Sequence, residues 1–146
     1  MMKSITTVFF FLFIVTVSFS QTKKNILFDQ STMINKFHTI DELEDLKKGE
    51  LVKLYIERAN EIITVLPYIA LTNEANVSLS DIGIKENSDN QKLLKKHHET
   101  TTDAFGSTSN LITEFVPYAD TEKIIWSILY YEEMIKKIRI GVNGNF

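Results

Sequence analysis

The chain contains no cysteine, and among its 146 residues it has only two prolines and five glycines. Without thiols it forms no disulfide, presents no thiolate nucleophile and cannot take a lipid on an N-terminal cysteine. So few glycines leave little for a phosphate-cradling loop, and neither a Gly-x-Ser-x-Gly elbow nor a His-Glu-x-x-His helix occurs. An excess of positive charge is missing too. Sixteen basic residues face 19 acidic ones, for a net charge of −3, which argues against nucleic acid or an anionic membrane surface as partner. Lys92, Lys95 and Lys96 form the one dense basic patch, and such a run reads as a solvated helix face. Sustained period-two alternation is also absent, so the pattern does not describe a sheet.

What is present fits one compact, all-α domain, with 44% hydrophobic and 24% charged residues. Residues 1–20 read as a secretory signal peptide. Lys3 supplies the positive start, Ile5 to Val17 the apolar core and Ser18-Phe19-Ser20 the small-x-small cleavage signal. The apolar run is shorter than the ~20 residues that span a bilayer, so no stable anchor is expected after cleavage. The mature chain would start at Gln21, in the periplasm or outside the cell. Losing Lys3 leaves 15 basic against 19 acidic residues, a charge of −4.

The stretch from Glu50 to Leu71 carries the longest helical pattern, with Leu51, Leu54, Tyr55, Ile62, Val65, Leu66 and Ile69 on one face. The other elements are expected to pack around it as an antiparallel bundle of three main helices plus a short N-terminal one. Residues 21–38 read as an extended leader, 39–141 as the helical domain and 142–146 as a flexible tail. Thr39-Ile40-Asp41-Glu42 is a capping box, and Gly49 a stop before the central helix, although one bent helix over 41–71 fits nearly as well. Thr72 to Asn87 is the main loop, with Leu79 and Ile82 able to plug one end of the core. Its Asn76-Val77-Ser78 triplet matches a glycosylation acceptor only weakly. A second capping box at Ser88 opens a helix with an unusually polar inner face and a kink expected near Gly106. Pro117 ends it. Asp120 caps a last helix bearing Ile124, Ile125, Ile128, Tyr131, Ile135 and Ile138, with Gly141 as its stop. Asn60–Tyr68 (NEIITVLPY) and Asn110–Tyr118 (NLITEFVPY) share four identities in register, a similarity that convergence at a Pro-Tyr helix end also accounts for.

Few side chains depart from a plain bundle. Trp126, Tyr130 and Met134 recur at four-residue steps away from the isoleucine stripe, giving the last helix a second apolar face suited to a protein partner, to self-association or to cover by the leader segment. A binding or structural module acting through that face is the first functional reading. The alternative is a metal-binding or hydrolytic protein using His97, His98 and nearby acids such as Glu99 and Asp103. Helical geometry weighs against it. With Leu94 at zero, His97 and His98 fall near ~300° and ~40°, whereas Glu99 and Asp103 fall near ~140° and ~180°, on the opposite side. No catalytic residue, metal ligand or cofactor is assigned. Arg58, inside the apolar stripe of the central helix, and Glu132, about 60° from the middle of the isoleucine face, are both poorly placed for solvation. Parallel central and last helices would bring them together as a partly buried pair beside Thr101 and Thr108, with Glu57 or Glu61 as the competing partners of Arg58.

Overall fold

The computed structural model describes residues 25–142, over which the protein is mostly helical with no strand. The expected signal peptide and tail residues 143–146 lie outside the described residues. The four helices are α1 (Ile40–Glu44), α2 (Lys48–Val65), α3 (Ser88–Phe115) and α4 (Thr121–Val142).

Local chemistry sets most of the boundaries. The Thr39 box forms as its spelling dictates, with the hydroxyl accepting from the Glu42 amide and the Glu42 carboxylate accepting from the Thr39 amide. Residues 41–71 are not one helix, nor is Gly49 a stop. The break falls at 45–47, where the Glu50 carboxylate accepts the Lys47 amide at 2.9 Å and opens α2, leaving Gly49 inside the first turn. Pro67 then ends α2 sooner than Leu71: lacking an amide proton, it sits in a 3-10 turn over Leu66–Tyr68.

In α3 the cap is Asn87, whose side chain accepts from the Asn90 amide at 2.8 Å, so Ser88 is the first helical residue and not the cap. No break occurs near Gly106, and α3 runs unbroken from Ser88 to Phe115. The threonines and serines that make this stretch a poor helix former return their hydroxyls to carbonyls four residues back. Thr100, Thr102, Ser107, Thr108 and Thr113 all do so, which satisfies them without breaking the ladder. Likewise α4 passes through Gly141 to Val142 instead of stopping.

The helix α2 is shared by the rest of the core. On one side Leu51 packs with Leu43 of α1 and with Ile124, Ile125 and Ile128 of α4. On another, Val52 and Ala59 pack with Ile112 of α3, while Val65 and Tyr68 meet Leu94 near the start of α3. The early half of α2 thus faces late α3 and its end faces early α3, so these two run antiparallel. Against α4 the order is preserved, Tyr55 beside Tyr131, Arg58 beside Glu132 and Glu61 beside Arg139, so α2 and α4 run parallel.

Apart from a 3-10 turn at Gln30–Thr32, residues 25–38 are irregular, yet Leu27, Phe28 and Ile34 are buried. The first two join the cluster that contains Leu79 from the loop. The Leu27 amide donates to the Val77 carbonyl and the Asn76 amide to the Phe28 carbonyl, stitching leader and loop together. Asn76 adopts φ 62°, a left-handed conformation that asparagine tolerates better than most residues. Ser78 is fully buried, its hydroxyl bonded to Asp81 and Ser80. The Asn76-Val77-Ser78 triplet thus has a structural role in the turn.

The two similar segments end their helices alike. After Val65 and after Phe115 the chain tightens into Leu66–Tyr68 and Val116–Tyr118, each with proline in the second place. Their tyrosines then diverge, Tyr68 being buried and Tyr118 88% exposed. No helix among the described residues is long and apolar enough to cross a membrane.

Candidate functional site

Arg58 and Glu132 are brought together in the interior, at 2% and 1% exposure. The Nε and Nη2 of Arg58 both donate to Glu132 Oε1, at 3.0 and 2.8 Å. No hydrogen bond joins Thr101 or Thr108 of α3 to this pair. Thr101 lies within 3.5 Å of His97, and Thr108 bonds its own helix. What covers the pair is the leader. The His38 amide donates to Glu132 Oε2 at 2.6 Å, its ring Nδ1 lies 2.9 Å from Oε1, and Arg58 Nη2 reaches the Lys36 carbonyl at 3.1 Å. A His38 tautomer protonated at Nδ1 donates to the carboxylate, and the 3.2 Å approach of Arg58 Nη2 to the same nitrogen is then a contact only. Glu57 on the same helix accepts from Nη1 at 2.9 Å, so the competing partner is engaged as well.

A second set repeats this scheme with the charges exchanged between helices. Glu61 of α2, 3% exposed, accepts the Ile34 amide at 2.6 Å and pairs with Arg139 of α4. Arg139 also donates to the Ile34 carbonyl through both terminal nitrogens, and its guanidinium lies over the Phe37 ring at 5.5 Å. The fit is less complete, because Arg139 Nε is buried without a hydrogen-bond partner among the described residues. Two buried carboxylates, one from each parallel helix, therefore each hold one arginine and one leader amide. A polar recess of about 400 Å³ lies between the leader and α2, and Arg58 lines it. The donors of Arg58 are spent on protein groups, and Lys36, the other cation lining the recess, pairs with Glu42 at 3.0 Å.

The histidines of α3 are committed to packing. His97 Nδ1 lies 2.7 Å from the Tyr68 hydroxyl, and burial pushes that phenol up to about 12. His98 is half-buried, with Nε2 2.9 Å from the Leu27 carbonyl. The opposite side carries Glu99, which pairs with Lys95, and the exposed Asp103. Among the described residues no group of three or more histidine, aspartate or glutamate side chains is placed to hold a metal ion.

On α4, Trp126 and Tyr130 are 55% and 65% exposed, and Met134 is half-buried. With Tyr55, Leu129, Tyr131 and Lys137 they border a groove of about 890 Å³. Its wall is rigid. Tyr55 and Tyr131 stack at 5.1 Å with their rings 5° from parallel, their hydroxyls 3.3 Å apart. Burial, with the neighbouring phenol second, pushes Tyr55 up to about 12. Residues 25–38 dock elsewhere and leave this face open.

The sequence gives no sign of His38 or Arg139, and it offers Glu61 only as a competing partner of Arg58, not as the carboxylate that holds Arg139 and the Ile34 amide. Glu61 follows Arg58 at the spacing of an ordinary solvated helix pair, and Arg139 falls in a basic C-terminal turn where the helix dipole already accounts for it. A signal was available in Glu61 itself, which lies about 20° from Leu54 and about 40° from Val65 around α2, on its apolar side.

In comparisons with known proteins, no family model, curated protein or solved structure matches this chain.

Proposed function

We propose that the protein is an exported helical-bundle module that binds a protein partner through the second apolar face of its last helix, formed by Trp126, Tyr130 and Met134. The observation that carries this reading is the exposure of Trp126 and Tyr130 beside the groove walled by Tyr55 and Tyr131. Aromatic side chains of this size dominate interface energetics, and helices with two apolar faces ordinarily cover both. Export rests on residues 1–20, whose short apolar core and Ser-x-Ser ending fit a cleaved signal peptide. In the bundle reading, α2, α3 and α4 follow an up-down-up path, supported by the antiparallel packing of α3 on α2 and the parallel packing of α4.

Two measurements test the proposal. Intact mass of the protein recovered from the envelope or medium should give a chain starting at Gln21; a species retaining Met1–Ser20 in the membrane fraction refutes export. Crosslinking in the native compartment should trap the Trp126 face, and Trp126→Ala with Tyr130→Ala should abolish the adduct. An adduct indifferent to both changes removes the face from the account.

A further inference from the structure

Resting on that reading of the Trp126 face, the geometry points to a second copy of this chain as its occupant, seated antiparallel across a two-fold axis between Leu129 and Tyr130. Glu122, Trp126, Tyr130, Glu133 and Lys137 lie within about 80° of one another around α4, forming one stripe. Its charge order is polar along the helix, with Glu122 at the N-terminal end, the two aromatics in the middle and Lys137 at the C-terminal end, all of them exposed except for the groove they border. A parallel two-fold would set Glu122 on Glu122 and Lys137 on Lys137. An antiparallel one sets each Glu122 on the copy's Lys137, twice per dimer, with Tyr130 at the axis.

The central positions also match. Trp126 falls opposite Glu133 and Met134 of the copy. Its indole N–H, a donor only, has no hydrogen-bond partner among the described residues, and a carboxylate supplies one. Met134 adapts to the indole face. The like charges that this register brings near each other, Lys123 and Lys136, are each neutralised within their own chain, by Asp120 at 3.1 Å and by Glu133 at 2.7 Å. The isologous fit thus uses the groove, the aromatic ridge and both charged ends of the stripe.

The test is sedimentation velocity on the chain as isolated from cells, its N-terminus read by intact mass. Wild type should dimerise below about 100 µM. Glu122→Lys and Lys137→Glu should each weaken the dimer roughly ten-fold, and Trp126→Ala roughly thirty-fold or more. These positions are on the surface, and circular dichroism should show unchanged helix. The double variant Glu122→Lys/Lys137→Glu should recover to near wild type, and an equimolar mixture of the two single variants should form heterodimers. A wild-type monomer at about 100 µM, a dimer indifferent to these changes, or single variants that the double change fails to rescue would each overturn self-pairing. A monomer that still loses its crosslinked partner on Trp126→Ala would overturn self-pairing while leaving the binding face standing; loss of both would remove the face altogether.

Discussion

Arg58 and Glu132 share a single carboxylate oxygen: two guanidinium nitrogens converge on Oε1, leaving Oε2 to the His38 amide. The pair therefore joins three segments, α2, α4 and the leader, and neither charge reaches water. Arg58→Met should cost roughly 3–5 kcal/mol, since it strands a buried carboxylate, and Glu132→Gln a similar amount. In a double-mutant cycle by chemical denaturation the two changes should be far from additive. A coupling energy near zero would mean that the charges act independently.

The second pair should matter less. Arg139 is 25% exposed and leaves its Nε unbonded, whereas Arg58 is 2% exposed and has donors from all three nitrogens engaged. Arg139→Met should destabilise by less than Arg58→Met, with a difference of at least ~1 kcal/mol. Equal costs would show that burial does not rank the two pairs.

Two leader amides are held by buried carboxylates at 2.6 Å, inside a segment with little regular structure. Ile34 and His38 should consequently exchange their amide protons far more slowly than Asn35 and Lys36. Glu61→Ala should speed exchange at Ile34 while sparing His38. Uniform exchange along 31–38 would mean that the leader is not pinned at these points.

These findings also mark what the sequence could disclose. Arg58 was legible because an arginine inside an apolar stripe has few ways to be satisfied, and the repeating angle of a helix says which way it points. His38 was not, since the leader has no period from which to read a direction. The Thr39 capping box was legible as spelled, and the start of α3 to within a residue, although Asn87 caps it alone and no second box forms, while Gly49 and Gly141 misled as stops and Gly106 as a break. A glycine only lowers the helix's own preference by about 1 kcal/mol, which the hydrogen-bonded ladder of the flanking turns outweighs.

Gly106 lies exposed within α3, and a Cβ added there would meet nothing within 4 Å. Gly106→Ala should therefore raise stability by roughly 0.5–1 kcal/mol, read as a higher denaturation midpoint. A loss of stability would reveal a constraint on α3 that its surroundings do not show.

Tyr55 and Tyr68 ionise near 12 against an ordinary 10, so between those values the unfolded chain has released protons that the folded one retains. Their contribution to stability is whole below 10 and is lost as pH rises toward 12. Phenolate absorbance from these two should appear together with loss of the helical circular dichroism signal. Full tyrosine ionisation with helix intact would contradict their burial. At the acid end, the Thr39 amide, and Lys36 beside it, hold the exposed Glu42 carboxyl down at about 2. That contribution is present above 4.5 and fades as pH falls toward 2, fraying α1 first.

Of the 28 residues of α3, only Leu94 and Ile112 are buried, one near each end and in different clusters. Such a helix is a beam resting on two supports, with its threonine-rich span between them anchored by little besides its own ladder. Bending or opening at mid-span disturbs neither support. The region around Tyr68 and the region around Val52 are tied to each other through α2, which carries both Val65 and Val52, and a load applied at one end of the beam passes to the other by that route and not along α3.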